Sequence, residues 1–445
     1  MKHSARFLIA LGISALSASA VHAETTRIEI WHAMTGVHET EFKKIVRAYN
    51  SSQNKFEVGL KDFSNRTELQ AAAQKAIAGQ MAKPDLVQIS DNHSPDVIAQ
   101  HKDIVPLYQL LAKHPIADAA WFLPQTTSFV RDNKGRLLAF PFMAEVPVMF
   151  YNTDAYSRAG LDPQKPARTW AALQADLLAL RDKARFNCPY ATSNQVEVHI
   201  ENLAPINNQL FLTPDNGLKA NKGVTLNFNI LYMRHVSLMV SWRRTELFTK
   251  NSDSNEASSD FTDGKCAVLT ANSSEMAEIL DSKVPFGVAP LPYYDQVTKE
   301  PGAPFVSGSA FWAVAGQSAA RNVATADFLG YLAKPVIAAN WHQKTGFLPL
   351  TDAAYRAADV SFYSRIPGAQ SVVQSLKQSA GKNSAEGFRM KNYGQVEKVL
   401  NKEWLLALEG EVSAMTALNS AKEQANILSG AQEVAATEPR AKRSK

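Results

Sequence analysis

Alternating and helical hydrophobic patterns succeed one another along the N-terminal part of the chain. Residues 27–31 alternate between polar and apolar side chains, as a half-buried strand does, and residues 56–63 repeat that pattern. Residues 39–49 place apolar side chains at helical spacing, and Asn65 is positioned to cap a second helix. Residues 84–90 are nearly continuous in apolar side chains, as buried parallel strands are. This strand, helix, strand, helix, strand order predicts a doubly wound α/β lobe.

The rest of the chain predicts a second lobe of the same kind. Strand and helix patterns alternate through its middle, its C-terminal part is almost wholly helical, and it contains no internal repeat. The predicted strands are residues 136–142, 146–151, 186–192, 265–271 and 285–291, and the predicted helices include residues 170–181, 229–246 and 392–428. We therefore expect two α/β lobes that share crossing strands rather than two independent domains.

A helix that stops abruptly at Gly346 marks a candidate crossing between lobes. Residues 322–340 carry apolar side chains at helical spacing, and Gly346 follows two cations at the point where a left-handed cap is favoured. Pro349 prevents the helix from resuming, so residues 347–350 are expected to be extended. Thr351 is then positioned to cap another helix.

The two ends of the chain are typical of an export signal and a polar tail. Lys2 and Arg6 precede a short apolar run, and Val21 and Ala23 offer small side chains at the −3 and −1 positions of a leader-peptidase cleavage site. We expect residues 1–23 to be a signal peptide cleaved after Ala23, which places the mature protein in the periplasm. No later stretch approaches the roughly 18 apolar residues of a membrane span. Residues 431–445 are expected to form a disordered basic tail.

The charge balance argues against nucleic acid as a partner. The formal net charge is +5, but six of the 47 basic residues lie in the leader and the tail, so the remainder nearly balances the 42 acidic residues. A protein that binds nucleic acid through its folded body needs a basic face. We expect no nucleic-acid partner and a monomeric protein.

Cys188 and Cys266 are the two cysteines of the chain. In an exported protein an even pair most simply forms a disulfide, and two buried free thiols remain the alternative. Neither cysteine has a C-x-x-C spacing, which disfavours a metal site.

Catalytic motifs are missing from the chain. It has no G-x-S-x-G elbow, no H-E-x-x-H helix, no Walker loop and no G-x-G-x-x-G turn. The ten histidines are scattered along the chain, and His199 is expected to be a polar surface group near a loop end. We therefore expect neither catalysis nor a cofactor nor a metal. An exported hydrolase or metal-binding protein is the alternative class.

Several separate stretches, in order along the chain, resemble one family. They are Trp31-His32-Ala33-Met34-Thr35-Gly36, Phe150-Tyr151-Asn152-Thr153-Asp154, Phe261-Thr262-Asp263-Gly264-Lys265-Cys266, Gly308-Ser309-Ala310-Phe311-Trp312 and Trp341-His342-Gln343-Lys344-Thr345-Gly346. Together they resemble the periplasmic solute-binding proteins of carbohydrate-type ABC importers, most of all the glycerol-3-phosphate-binding branch. The resemblance implies an α/β, two-lobed type II periplasmic binding protein fold. It also implies a solute cleft between the lobes and delivery of the solute to membrane permease subunits.

The same resemblance implies where the chain crosses between the lobes. Crossings are expected near residues 146–148, 288–291 and 347–349. Lobe 1 would hold residues 24–146 plus 293–343, and lobe 2 would hold residues 147–292 plus 344–430. Trp31 and His32 would belong to the cleft wall of lobe 1.

The ligand-contact positions of that branch can be placed by the flanking matches. The branch uses a tyrosine, an acidic residue, serines, a glycine, two tryptophans, a second tyrosine and an arginine. The corresponding residues here are Asn65, Asp91, Glu145, Asn194, Glu197, Asn272, Gly308, Phe347 and Glu397. Gly308 is the single identity, and Glu397 stands where the arginine would meet a phosphate.

These replacements change the expected ligand. Phosphate recognition needs guanidinium and hydroxyl donors, whereas a cleft that contains Asp91, Glu145, Glu197 and Glu397 repels a phosphate dianion. We therefore expect a cationic, polyol or sugar-like solute and no tight binding of glycerol-3-phosphate. Two alternatives stay open. Glu397 could simply face solvent, or Arg389 or Lys391 could rebuild an anion site for glycerol-3-phosphate or a glycerophosphodiester.

Overall fold

This computed structural model describes residues 25–90, 98–116, 129–219, 223–378 and 386–431. The expected signal peptide, Asp91 and the tail beyond residue 431 lie outside the described residues, so what was expected of them stays a prediction. Within the described ranges, no helix combines the length and the apolarity that crossing a membrane requires.

The strands form two large sheets and one small ribbon. In chain order they are β1 (Thr26–His32), β2 (Phe56–Asp62), β3 (Leu86–Ser90), β4 (Ile104–Val105), β5 (Phe140–Glu145), β6 (Pro147–Asn152), β7 (Cys188–Thr192), β8 (Leu212–Thr213), β9 (Thr225–Leu226), β10 (Phe248–Asn251), β11 (Cys266–Asn272), β12 (Phe286–Pro290) and β13 (Ser307–Val314). The first sheet has the order β2-β1-β3-β13-β4, with β5 also paired to β13, and the second has the order β10-β7-β11-β6-β12. The ribbon pairs β8 with β9.

Helices connect these strands in both lobes. The longer ones are Gly36–Ser52, Arg66–Ile77, Trp170–Asp182, Ile230–Arg244, Ala319–Leu332, Pro335–Thr345, Ala369–Gln378, Tyr393–Leu408 and Ala414–Ser429. The shorter ones are Leu107–Lys113, Thr153–Ala159, Leu203–Ile206, Glu256–Thr262, Met276–Asp281, Asp352–Ala357 and Val360–Arg365. The helical run predicted over residues 392–428 is therefore two helices. It is interrupted at Gly410, which takes a left-handed conformation with φ +76°.

The central strands of the first sheet explain the apolar pattern of the N-terminal part. β1 pairs in parallel with β2 and β3, and Ile28, Ile30 and Leu86 are fully buried. Parallel strands covered on both faces require such side chains. β13, from much later in the chain, joins this sheet antiparallel to β3.

β5 leads directly into β6 through Val146, so the chain passes there from the first sheet to the second. The two strands predicted over residues 136–142 and 146–151 are present, but the predicted separation at Met143-Ala144-Glu145 is wrong, because β5 runs through Glu145. Every residue of β5 through Glu145 is buried, and Glu145 pairs with Ser307 of β13. Residues 347–350 pass beside the same crossing, where the Leu348 N–H donates to the Ala144 carbonyl at 2.7 Å.

The return from β12 to β13 takes a longer course than the resemblance implied. Tyr294 and Phe305 belong to the core of the second lobe. The Phe305 N–H also donates to the Asn202 side chain at 2.7 Å. Residues 293–305 therefore pack with the second lobe, and the expected start of a lobe 1 segment at residue 293 is wrong. The other lobe boundaries stay predictions.

The helix Pro335–Thr345 ends at Gly346, as the sequence predicted, with φ +75°. A Cβ at this glycine would lie 2.1 Å from the Ser273 carbonyl oxygen of the second lobe, so the close approach also requires glycine. Thr351 caps the helix Asp352–Ala357 by accepting a hydrogen bond from the Ala354 N–H.

A disulfide joins Cys188 to Cys266, at the first residues of the parallel neighbours β7 and β11. This is the pairing that the cysteine count favoured over two free thiols. It links two strands of the second sheet that are 78 residues apart in sequence.

His199 is fully buried and is not the surface group that we expected. Its Nδ1 lies 3.0 Å from Nε2 of His235, and its ring stacks on Trp404. Burial lowers the pKa of both imidazoles, to about 3 for His235, so both rings are neutral at physiological pH. The two histidines are 36 residues apart in sequence, and folding brings them into contact.

Candidate functional site

A mostly polar cavity of about 190 Å³ lies where the two sheets meet. The first lobe contributes Thr35, His38 and Arg66 to its wall. Asn194 and Ser274 line it from elements that belong to the second sheet or follow its strands. A cavity of this size holds a small solute together with water, because one water molecule needs about 10–15 Å³ measured in this way.

Three of the residues placed by resemblance line this cavity, namely Glu145, Asn194 and Phe347. Glu197 and Asn272 are outside the cavity lining, but the charge of Glu197 acts on Glu145, and the Asn272 Nδ2 donates to the Glu197 Oε2 at 2.8 Å. The structure therefore brings together residues that are far apart in sequence. Their contact with a ligand stays a prediction.

Gly308 packs against the same wall. It has φ +116°, and a Cβ there would lie 2.0 Å from the Met143 carbonyl oxygen and 3.3 Å from Cγ of Glu145. Glycine is therefore required where β13 passes β5, because any side chain would push this strand away from Glu145.

The remaining placed residues have other positions. Asn65 is exposed and caps the helix Arg66–Ile77, where its Oδ1 accepts from the Glu68 N–H at 2.9 Å. Asp91 lies outside the described residues. Glu397 is exposed on the helix Tyr393–Leu408, yet it interacts electrostatically with Glu197, so it does not simply face bulk solvent.

Glu145 is the most strongly perturbed acid of the cavity. It ends β5 at the crossing, is 8% exposed, and accepts a hydrogen bond from the Ser274 hydroxyl. Burial, with a further contribution from the charge of Glu197, raises the pKa of Glu145 to about 8. The Ser274 hydrogen bond and the charge of Arg66 act in the opposite direction.

Glu197 opens the π-helical turn Glu197–Glu201 that follows β7. Its carboxylate accepts from the Asn272 amide and from the Ser307 hydroxyl, which joins it to strands of both sheets. Burial raises the pKa of Glu197 despite these two hydrogen bonds and the charge of Arg66. Burial and Glu197 likewise raise the pKa of Glu397. The acids therefore compete for protons, and a bound cation would favour their ionised forms.

Two amide oxygens at this site lack a donor. The Oδ1 atoms of Asn194 and Asn272 are buried without a hydrogen-bond partner among the described residues. Asn194 lines the cavity and takes a left-handed conformation with φ +50°. A buried acceptor without a donor is destabilising by about 1–3 kcal/mol, so these oxygens favour a ligand that carries N–H or O–H groups.

Sequence reasoning missed Arg66 and His38. Arg66 directly follows the placed Asn65, and adjacency to a mapped position was the signal that could have found it. The Nε2–H of His38 lies 3.2 Å from the carbonyl oxygens of both Ser274 and Thr345. Burial lowers the pKa of His38, so the ring acts as a neutral donor that links helix Gly36–Ser52 to the second lobe.

Trp31 and His32 do not line the cavity as the resemblance implied. Both are buried inside the first lobe, with His32 Nε2 2.9 Å from a carboxylate oxygen of Asp62. The residues that follow them, 33–35, form the wall instead.

Metal ligands do not converge in the part of the chain that the structure describes. There, no group of three or more histidine, cysteine, aspartate or glutamate side chains is arranged to hold a metal ion.

Two α/β lobes joined by crossing segments, with a polar cavity between them, define a two-lobed solute-binding protein. Residues 44–368 match the family described as bacterial extracellular solute-binding protein. The chain belongs to this family, and it is a solute-binding component of an ABC importer.

Two relatives in sequence from different organisms carry the same name. The chain is 32% identical over 431 residues to the sn-glycerol-3-phosphate-binding periplasmic protein UgpB of Yersinia pseudotuberculosis, covering 96% of this chain and 97% of that protein. It is 30% identical over 404 residues to UgpB of Rhizobium meliloti, covering 90% of this chain and 93% of that protein.

Solved structures share the fold. UgpB from Mycobacterium tuberculosis in complex with glycerophosphocholine aligns with a TM-score of 0.73 and 16% identity, covering 92% of this chain and all of that chain. Maltose-bound MalE3 of T. maritima aligns with a TM-score of 0.71 and 16% identity, covering 91% of this chain and all of that chain. At such identities these structures show a common fold and leave the ligand open.

Proposed function

We propose that this protein captures a small cationic or polyol-like solute in the cleft and delivers it, chemically unchanged, to the permease of an ABC importer. It acts in the periplasm as a monomer, after removal of residues 1–23. The observation that carries this proposal is the acceptor-rich cavity, which is lined by the Glu145 carboxyl group and by Asn194, whose Oδ1 lacks a donor. Glu197 adds a third acceptor group close by, since its charge acts on Glu145.

The balance of charge supports a donor-bearing ligand over a phosphate dianion. Two unit charges about 6 Å apart interact by about 3 kcal/mol at an effective dielectric constant near 20. A dianion would meet repulsion of this size from each ionised carboxylate, and Arg66 offsets one such charge. A cation or a hydroxyl group instead satisfies the carboxylates and the amide oxygens.

Recognition of glycerol-3-phosphate or a glycerophosphodiester remains the second candidate, and a specific observation favours it. Arg66 lines the cavity and could form the rebuilt anion site. Arg389, the alternative that the sequence offered, donates instead to the Arg131 carbonyl oxygen. Lys391 is exposed.

Thermal-shift measurements on the mature protein test the proposal, because a ligand that binds the native state raises the Tm. The panel contains polyamines, amino sugars, neutral polyols and glycerol-3-phosphate. We expect cations or polyols to raise the Tm, and we expect Glu145→Gln and Glu197→Gln to diminish the increase. Glu403→Gln is a matched control, since Glu403 is a buried glutamate with neutral donors in the C-terminal helices.

Micromolar binding of glycerol-3-phosphate without a response to cations or polyols would overturn the proposal in favour of the second candidate. An undiminished response in both glutamine variants would show that these carboxylates do not contact the solute.

A further inference from the structure

One guanidinium group shares the cavity with the carboxylates. Arg66 begins the helix Arg66–Ile77 of the first lobe, is exposed, and lines the same cavity as Glu145. Glu197 and Glu397 belong to elements of the second lobe. The cavity therefore has a basic side on the first lobe and an acidic side at the crossing, where Glu145 lies near two further acids of the second lobe.

Among the described residues, the guanidinium group of Arg66 has no ion-pair partner within 4 Å and donates no hydrogen bond. The hydrogen bonds to the carboxylates come instead from neutral donors, with Ser274 donating to Glu145 and Ser307 to Glu197. An internal counter-ion would be expected in direct contact with its acids, because charge-assisted pairs are the stronger ones.

The N–H groups of Arg66 are therefore available to a ligand. A guanidinium group presents five donors in a planar fork that matches a carboxylate or a phosphate monoanion. Its charge also influences all three acids, since it opposes the rise in the pKa of Glu145, Glu197 and Glu397. One small solute that carries both charges can thus satisfy both sides of the cavity.

We infer that the solute is dipolar, with a singly charged anionic group bound by Arg66 and a cationic group bound by Glu145 and Glu197. This inference rests on the proposed function, and it adds to the cation-bearing solute proposed there a singly charged anionic group. Lobe closure would bring the two sides of the cavity onto the two ends of the solute. A simple cation would meet Arg66 as a like charge, and a dianion would meet the carboxylates in the same way.

Isothermal titration calorimetry at low salt with a charge-sorted panel tests the inference. The zwitterions are glycine betaine and γ-aminobutyrate, which contain no glycerophosphate, the cations are choline and putrescine, and the anion is glycerol-3-phosphate. We expect at least one zwitterion to bind more tightly than every other member. Arg66→Gln should then weaken that binding about tenfold or more, because a charge-assisted contact is lost.

Two further variants separate recognition from net charge. Arg66→Lys keeps the charge without the planar fork, so its affinity should fall between that of the parent protein and that of Arg66→Gln. Arg47→Gln removes one positive charge from the exposed side of helix Gly36–Ser52, and it should leave the affinity unchanged.

The possible results distinguish failure of the dipolar-solute inference from failure of the proposed function. If cations bind more tightly than zwitterions, and Arg66→Gln leaves the cation affinity unchanged or increases it, the inference of a dipolar solute is wrong. The proposed function would still hold. Absence of binding by every zwitterion would also overturn the dipolar solute. Binding of glycerol-3-phosphate in place of all the cation-bearing solutes would overturn both.

Discussion

Replacing Glu145 by glutamine should stabilise the protein at alkaline pH and have little effect at acidic pH. The carboxyl group is 8% exposed, and its pKa rises from 4.5 to about 8 in the native state. Between these two values the unfolded chain releases the proton while the native protein retains it. Rising pH therefore favours the unfolded chain, and a glutamine, which does not titrate, removes this dependence.

The size of the effect follows from the linkage between protonation and folding. Each pH unit across the window lowers the free energy of unfolding by about 1.4 kcal/mol, so the whole window corresponds to at most about 4–5 kcal/mol. Glu197 shares the electrostatic cost, and the glutamine amide must itself be desolvated. We therefore expect a gain of about 1–3 kcal/mol at pH 9, which raises the Tm of a chain of this length by roughly 1–4 °C.

The assay is thermal unfolding of the mature parent protein and of Glu145→Gln from pH 5 to pH 9. The difference in Tm should grow steadily with pH and level off above about pH 8. Glu411→Gln, at an exposed turn between the last two helices, reports the effect of losing one surface charge. A difference in Tm that does not change with pH would refute the reasoning. It would mean that Glu145 is ionised in the native protein throughout this range.

Three further predictions concern the strands and the contacts between the lobes. Gly308→Ala should lower the free energy of unfolding, measured in urea, by about 2–4 kcal/mol, because the φ of Gly308 is +116° and an added Cβ would lie 2.0 Å from a backbone oxygen. Gly160 has φ +77° but open space where a Cβ would lie, so Gly160→Ala should lower the free energy of unfolding by only about 1 kcal/mol. Equal decreases in the two variants would contradict the steric argument. Reducing the disulfide between Cys188 and Cys266, which are 78 residues apart, should lower the free energy of unfolding by about 4 kcal/mol. An unchanged midpoint of unfolding in guanidinium chloride would contradict this prediction. Glu278→Gln should weaken solute binding about two- to fivefold in calorimetry, since this second-lobe carboxylate accepts the Val37 N–H in the first turn of the helix after β1 at 3.2 Å. An unchanged affinity would show that the contact does not favour lobe closure.

Several local features follow from the sequence because short-range rules fix them. Gly346 ends its helix and Thr351 caps the next one, as the residue types required. The first three strands follow from their burial pattern, since a strand alternates or runs apolar according to which of its faces are covered.

Part of the candidate site could also be predicted from the sequence. The resemblance to solute-binding proteins located Glu145, Asn194 and Phe347, which the fold places around one cavity. These positions could be found because flanking motifs fix them along the chain. Whether these residues contact the ligand remains a prediction, which the Glu145→Gln variant described above tests for one of them.

The tertiary structure decided what depends on partners distant in sequence. His199 became a buried partner of His235, the segment from residue 293 to 305 joined the second lobe, and Arg66 came to share a cavity with Glu145. Hydrophobic periodicity reports whether a position is covered but not which residue covers it, and a pKa depends on those neighbours. The sequence by itself thus determined the class of protein, its main elements and the position of one cavity acid, Glu145. Folding determined the opposing guanidinium group and the protonation of the acids, because electrostatic energies depend on distance and burial rather than on order along the chain.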